Sequence, residues 1–127
     1  LRTSQETIEA AQQFFTRLGK EPVIIRDCVG GVLPRVVASL INNAAYALME
    51  GVASAADIDA AMKLGTNYPY GPLEWADKIG LDQVLGILDG LCEAYGQDRY
   101  RPAPILRQMV YAGHLGERTG RGFYEYP

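Results

Sequence analysis

A single histidine, His114, is a thin basis for acid–base chemistry in a chain of 127 residues. It falls between the helix-stopping Gly113 and a glycine-rich tail, where a solvated helix-end imidazole is the simplest reading. No Ser/His/Asp or Cys/His arrangement can be placed around it. Cysteine is equally scarce: Cys28 and Cys92 show neither a CxxC nor metal-ligand spacing, so no metal site is expected. They read as ordinary cytosolic thiols in a cytoplasmic protein, with a disulfide between them left open. No GxGxxG follows a strand and no phosphate-cradling loop opens a helix; GERTGRG is glycine-rich but runs into an aromatic stretch. Charge of one sign is missing too. Lys and Arg number 12 against 15 Asp and Glu, with no basic tract, which argues against nucleic acid as a partner. The beginning, LRTSQE, carries no Met and no apolar leader, and is read as a cut from a longer polypeptide. No catalytic residue is assigned, and the chain is not expected to be a self-sufficient enzyme.

What is abundant is helical periodicity. Val32 to Glu50 is nearly all apolar over about nineteen residues, with Leu33, Val37, Leu40, Ile41, Ala44 and Leu48 on one face. Apolar almost all round, it is expected to be enclosed by other helices or by a second copy. Arg35, Asn42 and Asn43 interrupt the run, which argues against a membrane span. Ahead of it, Thr3 to Glu6 fits a capping box opening a helix through Leu18. Val23-Ile24-Ile25 follows as a short β-branched run, read as a buried strand. A lone strand leaves its backbone groups unpaired, so this arm reads as the last unit of a sheet whose other strands lie elsewhere, or as an extended linker.

Behind the long helix, Ser54 caps another whose inner face is Ile58, Ala61, Met62 and Leu64 and whose stop is Gly65. Pro72 opens a short helix ended by Gly80. Leu81 to Tyr95 is the clearest amphipathic helix, stopped by Gly96. Ile105 to Val110 makes one more, and the tail from Gly116 should lie extended over the helices with Phe123 and Tyr126 as plugs. The fold class is mostly α: a bundle of about five helices with a helix–strand arm (residues 1–28) and an aromatic C-terminal tail, the helical domain running from 29 to 127.

Two features look functional. Asn67-Tyr68-Pro69-Tyr70-Gly71-Pro72 sets aromatic rings and exposed backbone on a loop stiffened by prolines, a suitable rim for an apolar or planar ligand, unless the prolines merely terminate helices. Asn42 and Asn43 sit mid-helix against propensity, so at least one should meet a polar gap or a partner; solvent is the alternative. Glu74 and Asp77, three apart on the short helix, read as a solvated face.

From about Asp27 to Tyr126 the chain resembles the C-terminal helical domain of NAD-dependent 3-hydroxyacyl-CoA dehydrogenases, the 3-hydroxybutyryl-CoA type included. The matching blocks are EGVASAADIDAAMKLGTNYPYGPLEWADKIGLD and LGERTGRGFYEY. TSQETIEAAQQFFTRLGKEPVIIRD is similar to the closing helix and strand of that family's Rossmann domain. The resemblance implies that NAD and the catalytic His–Glu pair belong to a domain absent from this sequence. It implies that these helices form a homodimer and one wall of an acyl-CoA cleft, with Pro34, Asn67, Tyr70, Gly71 and Pro72 as substrate-facing positions. Pro34 stands where the family's GFVVNR places an Asn, and Gly31 where it places the Phe; proline offers no side-chain hydrogen bond. Tyr70 replaces a common Met. The departures at Gly31 and Pro34 suggest a divergent second repeat of a longer member, and Tyr70 an altered acyl pocket. The alternative function is an assembly module without ligand contact. Neither nucleic acid nor membrane is expected as a partner.

Overall fold

The computed structural model describes residues 3–127. Six α-helices account for most of the chain, and among the described residues the β-structure amounts to isolated bridges, Gly116 with Arg121 and Arg121 with Glu125. The helices are α1 (Gln5–Arg17), α2 (Leu33–Met49), α3 (Ala55–Thr66), α4 (Pro72–Ile79), α5 (Leu81–Tyr95) and α6 (Pro104–Tyr111), with short 3-10 turns at Asp98–Tyr100 and Glu117–Thr119. Five of them form the bundle and α1 lies in the arm, as the periodicity predicts. None is long and apolar enough to cross a membrane.

The core sits where α2, α4, α5 and α6 meet. Ile41, Leu73, Leu81, Leu88, Leu91 and Leu106 are each 0% exposed, and full burial of such a side chain is worth roughly 1.5–3 kcal/mol relative to leaving it in water. α4 and α5 share Gly80 as end and beginning, so the chain turns with no spacer. At the head of α2, the Arg35 guanidinium lies 4.5 Å from the Tyr95 ring centroid and donates to the Val29 carbonyl at 3.1 Å, fixing the hinge from the arm.

Several expectations need correction. The cap of α1 is Ser4, which accepts from the Thr7 amide, because a serine one residue nearer the helix closes the same ring as Thr3 would. Val23 to Ile25 forms no strand and is exposed, Val23 at 82%, since no neighbouring strand in this chain offers it hydrogen bonds. α2 is enclosed on one side only: Val37, Ala38, Ile41, Asn42, Ala44 and Ala45 are buried, while Leu33 and Val36 face solvent. On α3, Ile58 is buried but Leu64 is 87% exposed; the inward position between them is taken by Asp59. α3 runs past Gly65 and ends at Asn67, the one non-glycine residue with positive φ (55°) among those described.

Asn42 is the asparagine that meets a polar gap. Its side chain donates to the Arg101 carbonyl at 2.9 Å and accepts from the Ala103 amide at 2.8 Å, tying the 97–104 connection to α2, whereas Asn43 is exposed.

Candidate functional site: an apolar groove and its aromatic loop

The first turns of α2 diverge from α4 and α5 and leave an apolar groove of about 250 Å³, lined by Leu33, Pro34, Val37, Trp75, Ile79 and Ile87 among others. Nearly all of its lining is carbon, so it suits an apolar group and cannot by itself orient a polar one. Trp75 is flanked by two rings from the preceding loop. Tyr68 stands edge-on and Tyr70 tilted, each with its centroid 6.3 Å from the indole. Lys78 on α4 places its ammonium 5.0 Å from the Tyr70 centroid, near enough for a cation–π attraction. Proline opens both α2 and α4 within their first turn, where its missing N–H costs nothing.

The loop's conformation is set from beneath. Asp59 is 5% exposed and caps α4, accepting from the Leu73 and Glu74 amides, both at 2.8 Å. A β-carbon on Gly71 would lie 2.2 Å from that of Asp59, so only glycine lets the loop pass over the carboxylate. The group that the backbone approaches at Gly71 is thus Asp59.

The expected site residues fall into distinct places. Pro34 lines the groove, and Tyr70 borders it through Trp75. Gly71 and Pro72 are buried under the loop, and Asn67 is exposed at the end of α3. Sequence reasoning missed Trp75, whose signal was its place one turn past Gly71 in the helix that the loop feeds.

It also misread Asp77. Instead of a solvated face, Asp77 is 1% exposed and accepts three hydrogen bonds from the tail: the Phe123 and Tyr124 amides at 2.9 Å and the Tyr126 hydroxyl at 3.0 Å. Burial pushes its carboxyl above the usual carboxylate range, against the pull of those three donors and with some help from nearby Asp59. The Tyr124 hydroxyl donates to Asp59 at 2.7 Å. Two carboxylates therefore have the same design, each receiving two successive backbone amides and one phenol. A β-carbon at Gly122 would fall 2.0 Å from the Asp77 carboxylate, which accounts for the glycine before Phe123. Glu74 pairs loosely with Lys63 at 3.6 Å. His114 is half-buried just past α6, and no group of three His, Cys, Asp or Glu is placed to hold a metal ion among the described residues.

Comparison with known proteins gives this geometry a family. The model of the 3-hydroxyacyl-CoA dehydrogenase C-terminal domain matches residues 30–126. A probable 3-hydroxybutyryl-CoA dehydrogenase of Deinococcus radiodurans is 46% identical over 98% of this chain and 45% of its own length, and the human mitochondrial hydroxyacyl-coenzyme A dehydrogenase 40% identical over 98% of this chain and 40% of its own. The crystal structure of the (S)-3-hydroxybutyryl-CoA dehydrogenase of Ralstonia eutropha superposes with a TM-score of 0.97 at 44% identity, covering all of this chain and 45% of that one. The chain thus spans a little under half the length of each of these three relatives. It belongs to the family of 3-hydroxyacyl-CoA dehydrogenase C-terminal domains.

Proposed function

We propose that this chain is the helical part of a 3-hydroxyacyl-CoA dehydrogenase, whose whole transfers hydride between NAD and C3 of a 3-hydroxyacyl-CoA. In that reading residues 29–127 supply one wall of the acyl-CoA cleft and the homodimer surface, and residues 1–28 belong with a nucleotide-binding domain. The observation that carries it is the apolar groove between α2, α4 and α5, bordered by Pro34, Trp75 and Tyr70 and continuous with a family-typical loop. At the starts of α1, α3 and α4 the amides that could meet a pyrophosphate are taken by Ser4, Ser54 and Asp59, which supports placing NAD elsewhere in the parent. In this reading the cofactor belongs to the companion domain. Alignment of the arm along with the helices supports a nucleotide domain immediately ahead of this chain; the second-repeat reading rests on Gly31 and Pro34 alone. Exposed Val29, Val32, Leu33 and Val36 at the head of α2 support a dimer face. Both cysteines are free, in keeping with the reducing cytoplasm.

A second reading, an assembly module without ligand contact, is favoured by Pro34, which has no polar side chain to offer a substrate. Calorimetric titration with acetoacetyl-CoA separates the two. Binding heat that disappears in Tyr70→Ala supports the cleft; no heat from the unaltered chain favours assembly. NAD alone should give neither heat nor turnover.

A further inference from the structure

We infer that Glu117 and Tyr124 of the tail are positioning residues for the aromatic loop 67–71, holding it from two sides against Trp75. This deepens the cleft reading above and rests on it for its consequence in binding, though not for its geometry. On one side, the Glu117 carboxylate accepts from the Lys78 ammonium at 2.6 Å, and that same ammonium sits over the Tyr70 ring. On the other, the Tyr124 hydroxyl completes the coordination of Asp59, the carboxylate that caps α4 and over which Gly71 passes.

The loop has little else to hold it. Its rings are about two-fifths exposed, Tyr68 at 40% and Tyr70 at 38%. The tail is itself anchored independently of the loop, through its three hydrogen bonds to Asp77. It is a fixed strut. Without the Tyr124 hydroxyl, Asp59 keeps only the two amides of α4, and its grip on the loop weakens. Without Glu117, Lys78 is no longer drawn to its place over Tyr70.

Amide hydrogen exchange on the whole chain tests this with no ligand present. In Tyr124→Phe, which keeps the ring, the amides of Leu73, Glu74 and Trp75 should exchange about tenfold faster, the loss expected for one hydrogen bond to a carboxylate. Amides in the middle of α5 should be unchanged. For Glu117→Gln, acrylamide should quench Trp75, the only tryptophan, more strongly than in the unaltered chain. Glu117→Asp, which keeps the charge, should stay closer to the original quenching, and Lys78→Gln should match Glu117→Gln, with no further rise in the double variant. Unchanged exchange and quenching overturn the inference. So does acceleration spread equally over α4 and α5, which would mark a general loss of stability, or quenching in the double variant well beyond that of either single one. Titration with acetoacetyl-CoA then adds the functional arm: Tyr124→Phe should weaken binding severalfold. If the unaltered chain gives no heat while exchange and quenching respond as stated, the cleft reading falls and the strut stands.

Discussion

Asp59 and Asp77 show how a few polar atoms decide the shape of a largely apolar body. Each is buried, each has both oxygens occupied, and each is paid for in hydrogen bonds from segments far away in sequence. The phenols respond in turn. Burial, and then the carboxylate beside each, push the Tyr124 and Tyr126 hydroxyls well above the usual tyrosine range. A group whose folded pKa is raised contributes stability that is complete below its unfolded pKa and is lost as pH rises towards the folded one. The tail's hold should therefore be intact up to about pH 10, the ordinary tyrosine value, and fail only above it. In a spectrophotometric titration of the eight tyrosines, those at 124 and 126 should ionise well above the ordinary tyrosine value, together with loss of helical circular dichroism. Ionisation of both alongside the exposed tyrosines, with the helices intact, would contradict this. Neither aspartate was legible in the sequence: Asp59 follows an apolar Ile58 and Asp77 stands beside Lys78, so both look solvated. What covers them is the tail and, for Asp59, the loop at Gly71 as well, and the paths of both depend on tertiary contacts.

Among the elements, helix identity was readable wherever period and punctuation agreed. α5 runs from Leu81 to the Gly96 stop, and α2 from just past the hinge to Met49, because each has an apolar stripe of helical spacing and a clear terminator. Faces were harder. α3 is small and alanine-rich, its stripe is weak, and the pull of Asp59 towards α4 rotates Leu64 outward. The arm shows the opposite case: Val23 to Ile25 has strand composition without a strand partner. Of the groove, the loop and Pro34 could be read from sequence, but their meeting around Trp75 could not. Asn42 supplies the prediction at this scale. Asn42→Ala leaves the Ala103 amide buried and unpaired, which costs about 1–3 kcal/mol, and loosens the 97–104 connection. Thermal melting should fall by several degrees, while Asn43→Ala, altering an exposed side chain, should leave it unchanged.

At the scale of the molecule, two regions differ in how well they are covered. The helical body is closed by its own tail. The arm exposes Phe14, Phe15, Val23, Ile24 and Ile25 together, each between 48% and 82% accessible. Such a surface seeks a partner, and in the proposed parent the nucleotide domain is that partner. Separated from it, the chain should self-associate. Light scattering at high concentration should give a mass above 13.9 kDa, and Val23→Lys with Ile25→Lys should return it towards the monomer. A strict monomer throughout would count against the arm's assigned role. The tail's contacts also bear on synthesis. Residues 123–126 bond to carboxylates made 46 to 65 residues earlier, so until the ribosome has read the tail those two acids have no phenols to receive. The body reaches its final form only when the codons for Tyr124 and Tyr126 have been translated, so a product released before them lacks the phenols that close the two acids.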